Sequence, residues 1–444
     1  MMHRRRHSGR INRHHVIRSQ DAKTLLKGSL WAFILQATSK ASALITTLLC
    51  ARYLGAEDFS ILVSIQAFAL LASSLWDAGI SQFATREIAA HPHSTETIWR
   101  RGLIARLLLG IVPITVMVVA THLLKLTTNE RWMAFTITGF SIPITAASNL
   151  LTAIMIGQFE FRKTAIGGAV GKLCYAISLP ILLSIPTKHA MLTASVAYFM
   201  AELVTLLYLV RHRTRFTETT LRIGQEVRSS LSLIATSLPF AMSGIFILIY
   251  NRLDVVIVAA RSGELQAGLY APASRIQDAL MLFPTIAVAA LLPIASRRLV
   301  QDPNSSSLHT ITTPMILALT FSIPTTIVAT ISAPTFTHIS LGSDYSRSVV
   351  PIQILAISVP FSAISAPIMA HFVASNRPAL ASTMIFMGFV ISLGGIYLAA
   401  PQYGANGAAV ASALREPAIA FTGIGFLGIQ HYGHNTNRQR CPNQ

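Results

Sequence analysis

Residues 231–263 read LSLIATSLPFAMSGIFILIYNRLDVVIVAARSG. The segment 231–250 is almost wholly apolar, and a helix of about 20 such residues crosses the hydrocarbon core of a bilayer. Arg252 and Asp254 follow at once, at a depth where hydrocarbon would still surround the helix. Residues two apart on a helix point in nearly opposite directions, so this Arg and Asp cannot simply pair with each other. The stretch predicts a membrane-spanning helix whose charges face a wet cavity or other buried partners.

The whole chain has the composition of a membrane protein. Of its 444 residues, 52% are hydrophobic and 12% are charged, and this charged fraction is about half that of a soluble domain. Its long apolar runs are continuous rather than alternating, which favours an all-α bundle over a β-barrel. We predict about 12 transmembrane helices. The predicted spans are 27–51, 59–80, 101–121, 132–156, 165–185, 190–210, 231–257, 267–294, 311–332, 347–373, 379–400 and 405–430.

Lysine and arginine are distributed unevenly between the two sides of these spans. The side of the N-terminal tail holds most of them, whereas the other side keeps only Arg52, Lys125, Arg131, Lys188, Arg261 and Arg347. The positive-inside rule then predicts a multi-pass protein of the cell membrane with both termini in the cytoplasm. Anionic lipid headgroups on that side account for the net charge of +18, so we expect membrane lipids as partners and no nucleic acid.

Other classes of site have little support in the sequence. Cys50, Cys174 and Cys441 are too few and too scattered for a disulfide framework or a metal site. The histidines of the tail MMHRRRHSGRINRHH lack Cys or acidic partners, so we predict no metal and no cofactor. The first apolar run begins near residue 25 and is of full spanning length, which indicates a retained anchor rather than a cleaved signal peptide.

The longest hydrophilic connection lies near the middle of the chain. RHRTRFTETTLRIGQEVRSS, residues 211–230, separates six predicted helices from six more. A short internal sequence similarity, which we call the echo, supports two related halves. Gly55 and Ser60 follow the first span with the same spacing as Gly263 and Gly268 follow the seventh. The predicted organisation is a basic tail (1–24), an N-terminal six-helix bundle (25–210), a basic linker (211–230), a C-terminal six-helix bundle (231–430) and a second cytoplasmic tail (431–444).

Several further ionisable residues fall inside predicted spans. Lys40 lies near the middle of the first, and Arg275 and Asp278 share one helical face three residues apart. Cations in the middle and outer membrane suggest an anionic ligand, so we assign Lys40, Arg252 and Arg275 to a cavity. The alternative is that such residues form interhelical salt bridges or snorkel to the interface. We favour this second interpretation for Lys172, Glu202, Arg415 and Glu416.

Five motifs in register resemble signature regions of the polysaccharide flippases of the multidrug, oligosaccharidyl-lipid and polysaccharide exporter superfamily. They are ARYLGAEDFSILVSIQAFALL, DAGISQFATREIA, NRLDVVIVAARSGELQAGLYAPASRIQDAL, LGSDYSRSVVPIQILAISVPF and PQYGANGAAVASALREP. The resemblance extends from about residue 25 to residue 430. It implies two six-helix bundles around a central cavity that opens alternately to either side, and a polyprenyl-pyrophosphate-linked oligosaccharide as substrate.

Residues and resemblance together give a hypothesis for the site. Lys40, Arg252 and Arg275 would receive the pyrophosphate, because charged contacts offset its lost hydration. Asp254 and Asp278 would orient the Arg side chains, keep the empty cavity from being too positive, or bind a coupling cation, and we group Asp77 with them as a charge-orienting or coupling-ion residue. No catalytic residue is implied, and a polysaccharide polymerase is a possible partner.

Three other functions compete with this hypothesis. A drug or cation antiporter of the same superfamily should present acidic residues in its cavity, whereas the central excess here is basic. A membrane enzyme normally has a sizeable outer loop with paired carboxylates, but the outer loops here are short and Asp344 is isolated. A non-transporting scaffold of glycan assembly would tolerate loss of the buried charges.

Overall fold

The computed structural model describes residues 8–124, 126–184, 189–213, 223–282, 284, 307–375 and 377–440. Within these ranges the regular structure is helical, without a strand. The helices are α1 Ser8–Asp77, α2 Ile80–Ala90, α3 Thr95–Leu108, α4 Ile111–Leu123, α5 Asn129–Gly157, α6 Phe161–Ser184, α7 Ala190–His212, α8 Ile223–Ser262, α9 Glu264–Leu280, α10 Ser307–Ser340, α11 Val349–Ile357, α12 Val359–Ala374 and α13 Pro378–Arg440. Short 3₁₀ helices occupy Pro92–Ser94 and Ser343–Ser348. Parts of several predictions lie outside the described residues, namely 1–7 of the tail, Lys125 and Lys188 of the outer side, 185 of the fifth span, 214–222 of the linker, 283 and 285–294 of the eighth span, and 441–444.

Two of these helices fold back on themselves at a glycine. α1 breaks at Gly55 (φ 75°) and α13 breaks at Gly404 (φ 55°). A side chain strains the backbone at such positive φ angles, so glycine is the residue that fits. In α13 the two arms then pack closely, because a Cβ on Gly395 would lie 2.9 Å from the Cβ of Ala411. The first two predicted spans correspond to the two arms of α1, and the last two to the arms of α13.

The apolar lengths agree with a membrane bundle. Seven described helical runs are long and apolar enough to cross a bilayer, and the bent pair of α3 and α4 makes an eighth. Because two of the seven are hairpins, the described chain is consistent with about 12 spans. Large apolar side chains also face outward, including Leu107, Ile331 and Leu398, each more than 70% exposed. Such exposure is expected where lipid rather than water surrounds the protein.

One predicted span is not a continuous helix. The segment 101–121 bends by 42° between α3 and α4. Pro113 has no N–H to donate to the carbonyl of Leu109, four residues earlier, and its ring disfavours a straight helix there. The predicted span 101–121 is therefore present as the bent pair of α3 and α4, and the bend itself was not predicted.

The helices form two packed groups. In the first, α1 packs on α4, α5, α6 and α7. In the second, α8 packs on α9 and α13, α11 and α12 also pack on α13, and α10 packs on α11 and α12. α1 joins the groups by contacts with α8 and α9, and a large apolar cluster continues through both. The fold is thus an all-α bundle with its charged cavity, described below, between the groups.

Residues near the turns at Gly55, Gly263, Gly342 and Gly404 contact one another, since the Ala405 N–H donates to Gln266 at 3.0 Å and Arg52 donates to the carbonyl of Ile339 at 2.9 Å. From the predicted orientation, we call this end of the molecule the outer side. Gly263 (φ 91°, ψ 165°) has nearly the conformation of Gly55 (φ 75°, ψ 169°), so the sequence echo has a conformational counterpart. A Cβ on Gly268 would overlap the backbone carbonyl of Ala56, which places α9 directly against α1.

Polar contacts reinforce the outer side. The Tyr345 hydroxyl donates to the carbonyl of Ala51 at 2.9 Å. Arg131 of α5 lies 2.8 Å from Asp58 and 3.4 Å from Glu264 of α9. These contacts connect the two groups of helices at this end of the molecule.

Candidate functional site

A cavity of about 410 Å³ lies between the two groups of helices. Its wall contains residues from both arms of α1 and from α5, α6, α7, α8 and α9. The charged side chains on this wall are Lys40, Lys172, Glu202, Arg252, Arg275 and Asp278. Among the described residues of this wall, cations therefore outnumber carboxylates by two, in a site that α1 and the α8–α9 hairpin share.

Asp278 forms the centre of the charged cluster. Its carboxylate lies 3.2 Å from Arg275, 3.6 Å from Arg252 and 3.7 Å from Lys40. Arg275 and Asp278 are three residues apart on α9, so one helical face presents both. Arg252 comes from the adjoining α8, whereas Lys40 reaches across from α1 of the other group.

A second ion pair occupies the opposite wall. Lys172 of α6 lies 3.5 Å from Glu202 of α7, and Thr145 donates to the other Glu202 oxygen at 3.1 Å. For these residues we expected interhelical salt bridges or side chains that snorkel to the interface. They do form one, but the pair also lines the cavity.

Uncharged polar groups line the remaining wall. Gln66 donates from Nε2 to the Tyr175 hydroxyl at 3.4 Å, and Asn149, Thr152 and Tyr198 lie around the same space. Amides and hydroxyls both donate and accept hydrogen bonds. This wall is suited to a polyhydroxylated ligand beside the charged cluster.

The structure does not bring Asp254 into the cluster. Asp254 is 4% exposed and accepts hydrogen bonds from the Val255 N–H at 2.8 Å and the Tyr270 hydroxyl at 2.9 Å. That hydroxyl also lies 2.7 Å from the Ser412 hydroxyl. In this geometry Asp254 connects α8 to α9 and α13.

Asp77 is also outside the cavity. It ends α1, accepts from the Ser81 N–H at 3.2 Å and the Ser81 hydroxyl at 2.6 Å, and forms an ion pair with the buried Arg106. Arg106 donates in addition to the carbonyl of Ala146 in α5. This cluster connects α1 and α2 to α3 and α5.

A family model described as polysaccharide biosynthesis protein matches residues 25–300. The match covers more than half of the chain. The chain belongs to this family. No curated protein matches the sequence.

Solved structures with the same fold are membrane transporters. An inward-facing multidrug resistance MATE family transporter of the MOP superfamily is similar at a TM-score of 0.73 with 15% identity, over 89% of this chain and 96% of that one. The lipid II flippase MurJ, in an inward closed conformation, is similar at a TM-score of 0.71 with 13% identity, over 91% and 87%. A MOP superfamily transporter from Pyrococcus furiosus, described as having a binding pocket of reverse polarity, has a TM-score of 0.61 with 14% identity, over 92% and 95%. This polysaccharide biosynthesis protein therefore has the MOP transporter fold.

Sequence reasoning overlooked two arginines of this family member. Arg106 lies inside the predicted span 101–121 and is 4% exposed, so an ionisable residue in an apolar run was a signal available in the sequence. Arg131 was noted only as an outer-side charge, although it lies between Asp58 and Glu264. The second position needed the tertiary structure, because its partners lie far away along the chain.

Replacing Tyr270 with phenylalanine should destabilise the protein by about 1–3 kcal/mol, because it removes one hydrogen bond from the buried Asp254. The measurement is thermal unfolding of the purified protein in detergent. The control is Tyr403→Phe, at a tyrosine that is 67% exposed. Equal melting temperatures for the two variants would contradict the structural role given to Asp254.

Proposed function

We propose that this protein is a flippase that moves polyprenyl-pyrophosphate-linked oligosaccharide across the cytoplasmic membrane by alternating access, for cell-surface polysaccharide biosynthesis. One observation carries the proposal: the cavity between the two groups of helices has an excess of two positive charges, and three cations meet at one point of it. The family match and the transporter fold support the same conclusion.

The charge of the cluster suits a lipid-linked diphosphate. A diphosphate esterified at both ends carries a negative charge on each phosphate. Lys40, Arg252, Arg275 and Asp278 together leave two positive charges, which balance it. Arg also offers paired N–H donors in a fork that fits phosphate oxygens. In this proposal Lys40, Arg252 and Arg275 bind the diphosphate, which is the part of the substrate that is most costly to desolvate.

The remaining parts of the substrate match the rest of the site. The glycan would lie against the wall of Gln66, Asn149 and Tyr198, where hydroxyls find hydrogen-bond partners. The polyprenyl chain would stay in the bilayer and pass between the two groups of helices. Rocking of one group against the other would expose the cavity to each side in turn. We place both termini in the cytoplasm and regard a polymerase as the consumer of the product.

A drug or cation antiporter is the second candidate, because the multidrug transporters share the fold. Binding of a cationic drug would require a carboxylate free to receive it. Asp278 and Glu202, the two acids among the described residues that line the cavity, each pair with at least one cation. The net positive cavity therefore favours an anionic substrate.

The proposal predicts the effect of removing the cavity cations one at a time. Lys40→Ala, Arg252→Ala and Arg275→Ala should each lower delivery of lipid-linked glycan to the outer leaflet by about tenfold, since a charged hydrogen bond contributes about 1.5–3 kcal/mol. Precursor should accumulate on the inner leaflet. The measurement is outer-leaflet glycan in cells or vesicles, at equal abundance of each inserted variant.

A matched control is Lys163→Ala, because Lys163 of α6 pairs with Glu160, just before that helix, at 2.6 Å and does not line the cavity. This variant should deliver glycan normally. Normal delivery by all three cavity variants would contradict the cationic site, and the scaffold interpretation would then gain support.

A further inference from the structure

Asp278 holds the same three cations that are proposed to bind the substrate. Arg275 and Arg252 reach it from the second group of helices, and Lys40 reaches it from the first. The Asp278 side chain is 24% exposed, so it is open to the cavity rather than buried behind the cations. A diphosphate entering the cavity would meet cations that already have a carboxylate partner.

We infer that Asp278 is an internal substitute for the substrate's anion: it pairs with Lys40, Arg252 and Arg275 in the empty protein, and a bound diphosphate takes over these contacts. The inference rests on the proposed function and adds a specificity-determining residue to it. Asp278 would thus be a competitor of the substrate rather than one of its ligands.

Charge repulsion is the physical reason for such a residue. Three cations that converge within about 4 Å of one point repel each other strongly in a half-buried site. One carboxylate at the centre offsets this repulsion when no substrate is bound. It leaves enough positive charge for a diphosphate, whose oxygens are more numerous and reach all three cations at once.

The position of Lys40 gives its pairing with Asp278 a mechanical consequence. Because Lys40 belongs to α1 and Asp278 to α9, their ion pair crosses between the two groups of helices. The empty carrier therefore keeps a connection across the cavity without substrate. This connection allows the carrier to return after it has released its anion.

Glu202 provides a matched comparison. In the part of the chain that the structure describes, it is the second acid on the cavity wall, but its partners are Lys172 and Thr145 rather than the three cations. Removing either carboxylate changes the charge of the cavity by the same amount. Only removal of Asp278 frees the proposed anion-binding cations.

The experiment measures the affinity of inorganic pyrophosphate for the full-length protein in nanodiscs by calorimetry. Asp278→Asn should bind pyrophosphate at least about tenfold more tightly than the wild type, because loss of a charged competitor is worth about 1.4 kcal/mol or more. Glu202→Gln should change the affinity by less than about threefold, as expected for a charge that is not in contact with the ligand. Asp278→Ser gives a second test if the Asn variant folds poorly, and each variant is first checked by its melting temperature.

A transport measurement distinguishes competition by Asp278 from a mere increase in pyrophosphate affinity. If the inference holds, Asp278→Asn binds more tightly yet delivers glycan more slowly, because empty cations repel and product release is slower. Equal tightening in Asp278→Asn and Glu202→Gln would overturn the inference in favour of a general charge effect. Unchanged affinity in Asp278→Asn, with binding lost in Arg252→Ala, would overturn it and leave the proposed function standing. Pyrophosphate that binds neither the wild type nor any variant would overturn both.

Discussion

Replacing Gly268 with valine is expected to prevent the outer side of the protein from closing. Even a Cβ at this position overlaps the backbone carbonyl of Ala56, and a backbone cannot move aside as a side chain can. Overpacking of this kind costs about 3 kcal/mol or more when the neighbour cannot relax. A destabilisation of this size shifts the equilibrium away from the closed form by about a hundredfold. We therefore expect glycan delivery to be nearly abolished.

Cys50 provides a direct measurement of this opening. It lines the cavity and is 3% exposed. With Cys174 and Cys441 replaced by serine, Cys50 is the sole thiol of the chain. A membrane-impermeant methanethiosulfonate reagent added to intact cells should modify Cys50 at least about tenfold faster in Gly268→Val, because the outer contact holds the reagent out.

The control for this substitution is Gly394→Ala. Gly394 also lies within a helix, but no other group lies within 4 Å of the position of its Cβ. This variant should deliver glycan and react with the reagent at the wild-type rate. Wild-type labelling in Gly268→Val, at normal abundance in the membrane, would contradict the close contact of α9 with Ala56.

Replacing Arg106 with glutamine is expected to destabilise the protein by about 3–5 kcal/mol, because it leaves the carboxylate of Asp77 without its buried cation. Arg106 is 4% exposed and also donates to Ser81 at 3.1 Å and to the carbonyl of Ala146. The variant would lose contacts to α1, α2 and α5 together. The measurement is the chemical or thermal unfolding transition in detergent.

An exposed ion pair supplies the comparison. Lys163→Gln breaks the contact with Glu160 of 2.6 Å at a lysine side chain that is 40% exposed, and such pairs contribute about 0–1 kcal/mol. The double variant Asp77→Asn with Arg106→Gln should recover part of the loss, since no unpaired charge is then left buried. A loss in Arg106→Gln no larger than in Lys163→Gln would show that the buried pair is not structural.

The helical hairpins illustrate what was readable from sequence. Continuous apolar runs of spanning length predicted the helices of α1, α5, α6, α7 and α13, because a bilayer requires every backbone group to be paired within its own segment. Gly55 and Gly263 were recognised as an echo, and both have the positive φ that permits a tight reversal. The bend before Pro113 was missed, since an apolar proline does not interrupt a hydropathy pattern.

For the charged residues, the sequence and the tertiary structure each supplied different information. The sequence by itself placed Lys40, Arg252, Arg275 and Asp278 in apolar runs of spanning length, which predicts membrane depth, and it put Arg275 and Asp278 on one face, because helical spacing fixes direction. Only the tertiary structure decided which partners they meet. It brought Lys40 across to Asp278, placed Lys172 and Glu202 on the same wall, and directed Asp77 and Asp254 to Arg106 and Tyr270 instead. The neighbours of a charged residue along the chain are of the same kind whether it faces lipid or a cavity. The two surroundings differ only through the packing of helices that are distant in sequence.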